Sequence, residues 1–274
     1  MHVAIPEPFS FDLSVERHRT FGPDPVNLVE GGALYRFLDG REIRIAPASG
    51  GVEISPADPD LAGPVRRFVG ASFDLVEFAA FAATDPVLAP LVEALSGFRP
   101  ILTPDPVEML VTSVSAQQVS LRAALAVRRR LVERYGRSGD VAWAFPEPGA
   151  LALAAPEDLR ALGFSTRKAE YVVAIAGNSV DLDGLAGLRG DEIKAQLTEL
   201  PGVGEWTADW YLARHLGRPD AWPAGDLGLR KALARFLLDG RDPTAPEARA
   251  LGERFAPFAN LAAQYLLLGL RVSA

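Results

Sequence analysis

Residues 200–233 read LPGVGEWTADWYLARHLGRPDAWPAGDLGLRKAL, and this stretch decides the reading of the chain. The preceding segment DEIKAQLTE (residues 191–199) has the composition of a helix that ends at Leu200-Pro201. Gly202-Val203-Gly204 follows, and a second helix is predicted from about Glu205. Two glycines one residue apart let the backbone turn tightly and approach another backbone closely. The amides at the start of the second helix point out of that turn and make a ready anion site. A plain helical hairpin, with the glycines only forming the corner, is the alternative reading. After Leu216 the chain breaks into GRPDAWPAGD and resumes as the helix LGLRKALARFLL, with Asp226 at the junction. An Asp there reads as an N-cap. It also reads as a carboxylate held at a helix start, facing a cleft.

Working outward from this stretch, residues 102–274 are predicted as helix after helix. DPVEMLVTSV opens with Asp105 as N-cap, Pro106 at the first helical position and Glu108 at the third. SLRAALAVRRRLVERYG (residues 120–136) places Leu121, Leu125, Leu131 and Val132 on one face. Its arginine run reads as a solvated face. The first part of the chain differs. ALYRFLDGREIRIA (residues 33–46) alternates apolar and polar residues around Asp39-Gly40, a hairpin signal. GVEISPA reads as another strand and PFSFDLSVE (residues 8–16) as the first one. From about Pro64 the pattern turns helical. The expected fold class is α+β: an antiparallel sheet domain over residues 1–80, then an all-α region over 81–274. The latter divides into subdomains 106–218 and 81–105 with 219–274.

Composition limits the chemistry. The 274 residues contain no Cys, which excludes disulfides, thiolate metal sites and Cys nucleophiles, and the three His are far apart. The formal net charge of −7 argues against a surface that coats nucleic acid throughout, but leaves room for a local basic face. Residues 1–100 hold 8 Lys/Arg and 14 Asp/Glu, so the acidity is concentrated there. The uncharged run at residues 255–270 is too short to span a bilayer and reads as a core helix. No signal-peptide pattern opens the chain, and a cytoplasmic, nucleoid-associated location is expected.

The hairpin, the helix of about twelve residues, the Gly/Pro loop and the Asp together resemble the helix-hairpin-helix, Gly/Pro-rich-loop-Asp superfamily of DNA glycosylases. Within it the chain most resembles the alkylbase enzymes of the 3-methyladenine DNA glycosylase II type. PVEMLVTSVSAQQVSLRAA (residues 106–124) is similar to the family's helix and loop that insert into DNA, and RFAPFANLAAQYLLLGL (residues 254–270) to its closing helix. The resemblance implies base flipping and excision of alkylated purines from double-stranded DNA by a monomer. It assigns Asp226 as the catalytic carboxylate. Trp206 stands where bifunctional relatives carry a Schiff-base lysine, so hydrolysis without lyase activity is expected. Trp206 and Trp210 are one turn apart and would form the base pocket, stacking on a cationic base. Leu267, with Tyr265 nearby, stands where the family's closing helix often carries an aromatic. Gln117 and Gln118 match the wedge loop, though the alkylbase enzymes often place an apolar residue at the Gln118 position. Gly202 and Gly204 would bind a phosphate. The backbone carbonyls of Thr198, Leu200 and Val203 match those that hold a Na or K ion when DNA is bound. Competing expectations are a glycosylase for oxidised or deaminated bases and a helix-hairpin-helix DNA-binding module without turnover.

Overall fold

The computed structural model describes residues 1–20, 22–178 and 180–272. Five strands, β1 (His2–Ala4), β2 (Leu28–Glu30), β3 (Ala33–Leu38), β4 (Arg41–Ala48) and β5 (Gly51–Ser55), form an antiparallel sheet in the order β1-β5-β4-β3-β2. The Leu38–Arg41 pair closes a two-residue turn whose Asp39 and Gly40 both have positive φ, 47° and 73°. That is the turn geometry an Asp-Gly pair favours, and its twist matches the flanking strands.

Residues 8–16 are not the first strand. They lead into helix α1 (Phe11–Thr20), and the edge strand β1 lies nearer the terminus, paired with β5. The alternation Phe9, Phe11, Leu13, Val15 mimics a period of two. The Ser10 hydroxyl, which accepts from the Leu13 amide, marks a helix start instead. Phe11, Ser14 and Val15 then turn inward at helical spacing.

One face of the sheet packs on α1 and α2 (Ala62–Phe68), burying Ile43, Ile45, Val52, Ile54 and Phe68. A second core joins α3 (Leu75–Ala82) and α4 (Leu88–Ala94) to the chain's last helices, α12 (Leu227–Leu237), α13 (Ala245–Gly252) and α14 (Ala259–Val272). Thus α3 leaves the sheet layer, and that layer's core ends at Val69. The third core is all-helical. It comprises α5 (Pro106–Ala116), α6 (Leu121–Tyr135), α7 (Pro148–Ala152), α8 (Pro156–Ala161), α9 (Thr166–Ala176), α10 (Gly190–Leu197) and α11 (Glu205–Tyr211). The apolar run at residues 255–270 is mostly α14, whose Leu261, Tyr265, Leu266 and Leu268 are buried. No helix among the described residues is long and apolar enough to cross a membrane.

A buried ionic network fastens the sheet to the helices. Glu108 on α5 accepts from Arg36 on β3 at 3.0 Å and from Arg128 on α6 at 2.8 Å. Arg128 also pairs with Asp24, which in turn accepts from Asn27. Arg128 therefore belongs to this network and not to a solvated arginine face. Glu42 on β4 accepts from the amides of Asp140, Val141 and Ala142, a second tie between the layers.

Candidate active site

Asp226 is at once an N-cap and a site carboxylate. Its Oδ1 accepts from the Leu229 amide at 2.9 Å, closing the first turn of α12. Its Oδ2 accepts from Trp206 Nε1 at 3.0 Å and from Trp210 Nε1 at 3.1 Å. Both carboxylate oxygens are thus fixed by three donors from two helices. The loop ahead of Asp226 is anchored by Trp222, which is buried and donates from Nε1 to the Ala248 carbonyl.

Asp226 faces a cavity of about 930 Å³, also lined by Trp206, Trp210, Leu267, Gln118 and the N-terminal Arg17. This is at the upper end of the ~300–1,000 Å³ usual for ligand cavities. The two tryptophans do reach the cavity, but they act first as donors to Asp226. Arg214 lies over the Trp210 ring, 3.6 Å from its centroid, so that face is already occupied by a cation and does not await a cationic base. Arg214 comes from a π-helical turn, Leu212–Leu216, that continues α11 and ends at Gly217 in the left-handed region.

Tyr265 does not line the cavity. It is buried in the second core against Phe78 and Phe98, with its hydroxyl donating to the Phe98 carbonyl. On α14, Leu267, Leu270 and Arg271 line the cavity.

Gln117 is not free to enter DNA. Its Nε2 donates to the Gly202 carbonyl at 2.9 Å and to Thr207 Oγ1 at 3.2 Å, tying the α5–α6 loop to the hairpin. Lys168 holds the same loop by donating to the Ser115 and Gln117 carbonyls. Gln118 has φ of 56° and is exposed at the cavity mouth, and Val119 beside it is 47% exposed. The projecting tip is therefore Gln118-Val119. Val119 supplies the apolar character that the residue at 118 lacks.

In the hairpin, Gly202 has φ of 81°, and a Cβ there would collide with the Tyr171 ring. Gly204 is the exposed N-cap of α11. Neither amide donates to a protein group among the described residues. The Lys194–Asp209 ion pair joins α10 to α11, with Asp209 buried and its carboxyl pushed up by that burial. The Leu200 carbonyl accepts from the Val203 amide at 3.0 Å, whereas those of Thr198 and Val203 accept no backbone bond outside the helices. Oxygen-only carbonyls with free lone pairs suit an alkali cation, and no His, Cys, Asp or Glu cluster for another metal occurs among the described residues.

The sequence reading missed several residues of the cavity wall. Arg17 and His18 come from α1, just past residues 8–16 that read as a strand, and Arg271 from the far end of the chain. Burial, with Arg17 close by, pushes His18 down to about 3, so its ring is neutral at ordinary pH. His215, near the end of the π-helical turn, is buried. Its Nδ1 donates to the Thr103 carbonyl at 2.8 Å, and burial lowers it to about 4. The i, i+4 spacing of Trp210 and Arg214 was the one local signal for any of these residues.

A family model described as HhH-GPD superfamily base excision DNA repair protein matches residues 111–257. A DNA-3-methyladenine glycosylase of Bacillus subtilis is 29% identical over 201 residues, covering 70% of this chain and 66% of the relative. A probable bifunctional transcriptional activator/DNA repair enzyme AlkA of Mycobacterium tuberculosis is 36% identical over 210 residues, 73% of this chain and 41% of the relative. The matches thus span less than two thirds of these relatives' own lengths. A solved 3-methyladenine DNA-glycosylase from Archaeoglobus fulgidus superposes with a TM-score of 0.86 at 27% identity, covering 99% of both chains. With the hairpin, the Gly/Pro loop and Asp226 in one constellation, and the family model spanning more than half of its length, the chain belongs to the HhH-GPD superfamily of base excision DNA repair proteins.

Proposed function

We propose that the protein is a monofunctional DNA N-glycosylase that flips alkylated purines of the 3-methyladenine type out of double-stranded DNA and hydrolyses their glycosidic bond, leaving an abasic site. The observation that carries this reading is the Asp226 carboxylate, clamped by two indole N–H groups and one amide at the wall of a cavity large enough to admit a flipped base. As the bond to the base breaks, the sugar acquires oxocarbenium character. A preorganised carboxylate beside it stabilises that charge and orients or deprotonates the attacking water. A purine alkylated at N3 or N7 is already cationic and departs without a general acid, so one carboxylate suffices.

The side chains at the cavity support hydrolysis without lyase chemistry. Trp206 occupies the Schiff-base position, and no lysine lines the cavity among the described residues. Lys168 is engaged with loop carbonyls and Lys194 with Asp209. The unpartnered amides of Gly202 and Gly204 would receive a backbone phosphate. A Na or K ion held by the Thr198, Leu200 and Val203 carbonyls would add positive charge beside it. Gln118 and Val119 would fill the gap left by the flipped base. The protein is read as acting as a monomer in the cytoplasm, at the nucleoid.

The test is a panel of duplex oligonucleotides carrying 7-methylguanine, hypoxanthine, 8-oxoguanine or uracil. Release of the methylated purine supports the proposal. Release of 8-oxoguanine or uracil alone would replace it with a different lesion class. Binding without release of any base would reduce the protein to a DNA-binding module.

A further inference from the structure

The loop between α5 and α6 carries the Gln118-Val119 tip, and its conformation is held from outside. Gln118 has φ of 56°, in the left-handed region that a residue with a side chain adopts only where its surroundings impose it. Two ties impose it here. Gln117 donates from Nε2 to the Gly202 carbonyl and to Thr207, which connects the loop to the hairpin. Lys168 donates from Nζ to the Ser115 carbonyl at 3.0 Å and to the Gln117 carbonyl at 2.6 Å. The Gln117 carbonyl belongs to the peptide that joins Gln117 to Gln118. Holding it fixes the plane from which the left-handed residue departs.

The place of Lys168 in its own helix is unfavourable. It lies in the first turn of α9, where its amide donates to the Ser165 hydroxyl at 3.3 Å, and a cation there works against the helix macrodipole. Its ammonium meets no carboxylate among the described residues, and burial lowers its pKa from the ordinary lysine value. What compensates lies across the helix interface. Ser115 is in the last turn of α5 and Gln117 is its C-cap, so the ammonium sits at the negative end of that helix's dipole.

We propose that Lys168 is a positioning residue for base extrusion: by fixing the Gln117–Gln118 peptide it keeps the Gln118-Val119 tip projecting before any lesion is met, so that the tip enters the duplex without first being ordered. The inference rests on the glycosylase reading and concerns the extrusion step alone. Lys168 does not line the cavity and so touches neither the base nor Asp226. An element ordered in advance costs no conformational entropy at the moment of binding. Entry of the tip offsets the unstacking and unpairing of the extruded nucleotide. Releasing the tie therefore slows extrusion and leaves bond cleavage at Asp226 as it was.

The experiment compares Lys168→Met, which keeps the apolar stem, with the unmodified protein on two duplexes. The first holds an uncleavable tetrahydrofuran abasic analogue opposite 2-aminopurine, whose fluorescence changes when the tip enters the gap facing it. The second holds 7-methylguanine opposite cytosine and reads base release in single turnover with protein in excess. Loss of one hydrogen bond to a charged group corresponds to about 10- to 100-fold, and the lower end applies because Gln117 still ties the loop. Release should therefore fall about tenfold, and the fluorescence change at saturating protein by at least about half. Lys168→Arg keeps the charge and several donors and should restore much of both signals. Lys168→Gln, a milder change for the fold, should show the same losses to a smaller degree, and thermal unfolding reads the fold of each variant separately. Folded Met or Gln variants with the wild-type fluorescence change would overturn the inference, whether or not release slows, because the tip would then enter without the tie. A wild-type protein that releases 7-methylguanine with no fluorescence change would overturn it too, with the glycosylase reading intact. A wild-type protein that releases no base would remove that reading, and the fluorescence arm would still decide whether Lys168 positions the tip.

Discussion

Trp206→Phe removes one indole N–H from Asp226 and leaves an aromatic wall of nearly the same shape. Three donors hold the carboxylate, at 2.9, 3.0 and 3.1 Å, and this substitution deletes the 3.0 Å one. A hydrogen bond to a charged group contributes about 1.5–3 kcal/mol, or roughly 10- to 100-fold if fully expressed in the transition state. The expected loss lies at the lower end, about tenfold, because Trp210 still holds the same oxygen and Leu229 the other. Trp206 is the cleaner of the two tryptophans to test, since Arg214 stacks on Trp210 and its removal would disturb a second interaction. The assay is single-turnover release of 7-methylguanine from a duplex, paired with a gel shift on abasic-analogue DNA. Binding should change by no more than about threefold, because the bond lies within the protein. In the Trp206→Phe, Trp210→Phe double variant the losses should not add, since both donors share Oδ2. Release within twofold of wild type in both single variants would refute the idea that the indoles position Asp226.

Three further outcomes follow from the structure. Incubation with abasic or lesion DNA and borohydride should trap no covalent adduct, because no lysine lines the cavity among the described residues; a trapped complex detected on a denaturing gel would contradict the monofunctional reading. Glu108→Ala leaves Arg36 and Arg128 buried without their shared carboxylate and should cost about 3–5 kcal/mol in urea unfolding; a loss under about 1 kcal/mol would show that the network contributes little. His215 has its folded-state value depressed from the ordinary 6.5 to about 4, so the stability it contributes is present above the unfolded value and is lost as pH falls through that window. Wild type should therefore lose about 2 kcal/mol more than His215→Gln between pH 7 and pH 5, and parallel unfolding curves for the two would exclude that linkage.

What was legible in the sequence was what the chain states locally. Asp39-Gly40 between alternating runs specifies a two-residue hairpin, and the structure closes it with both φ positive. Pro201 to Gly204 specifies a helix corner, and the Gly/Pro loop ahead of Asp226 specifies a cap. Less was legible where two local signals conflicted. At residues 8–16 the apolar alternation competes with the Ser10 cap, and packing of Phe11 and Val15 on the sheet decides for helix. Least legible was whatever depends on contacts between distant residues. Tyr265 and Leu267 are two apart on α14 and so point to different sides, one to the core and one to the cavity. Which side is which depends on Phe78 and Phe98, well over a hundred residues away. Gln117 and Gln118 are chemically identical, yet a carbonyl 85 positions on claims the first. The guanidinium groups of Arg17, Arg214 and Arg271 meet only because three helices converge on one cavity.

The most direct test of the central claim is Asp226→Asn. The account predicts that single-turnover release of a methylated purine falls by about 100- to 1,000-fold, the usual effect of losing one preorganised electrostatic partner. The structure adds a control. Asn has one carbonyl oxygen, which can cap Leu229 or accept from the indoles but not do both, so its amino group faces donors. A stability loss of about 1–3 kcal/mol is expected alongside the rate loss and is read separately by thermal unfolding. Binding to abasic-analogue DNA should persist, because the phosphate contacts assigned to Gly202 and Gly204 are untouched. A folded Asp226→Asn protein that binds this DNA and releases methylated purine at close to the wild-type rate would contradict the account, since Asp226 would then be a helix cap and nothing more.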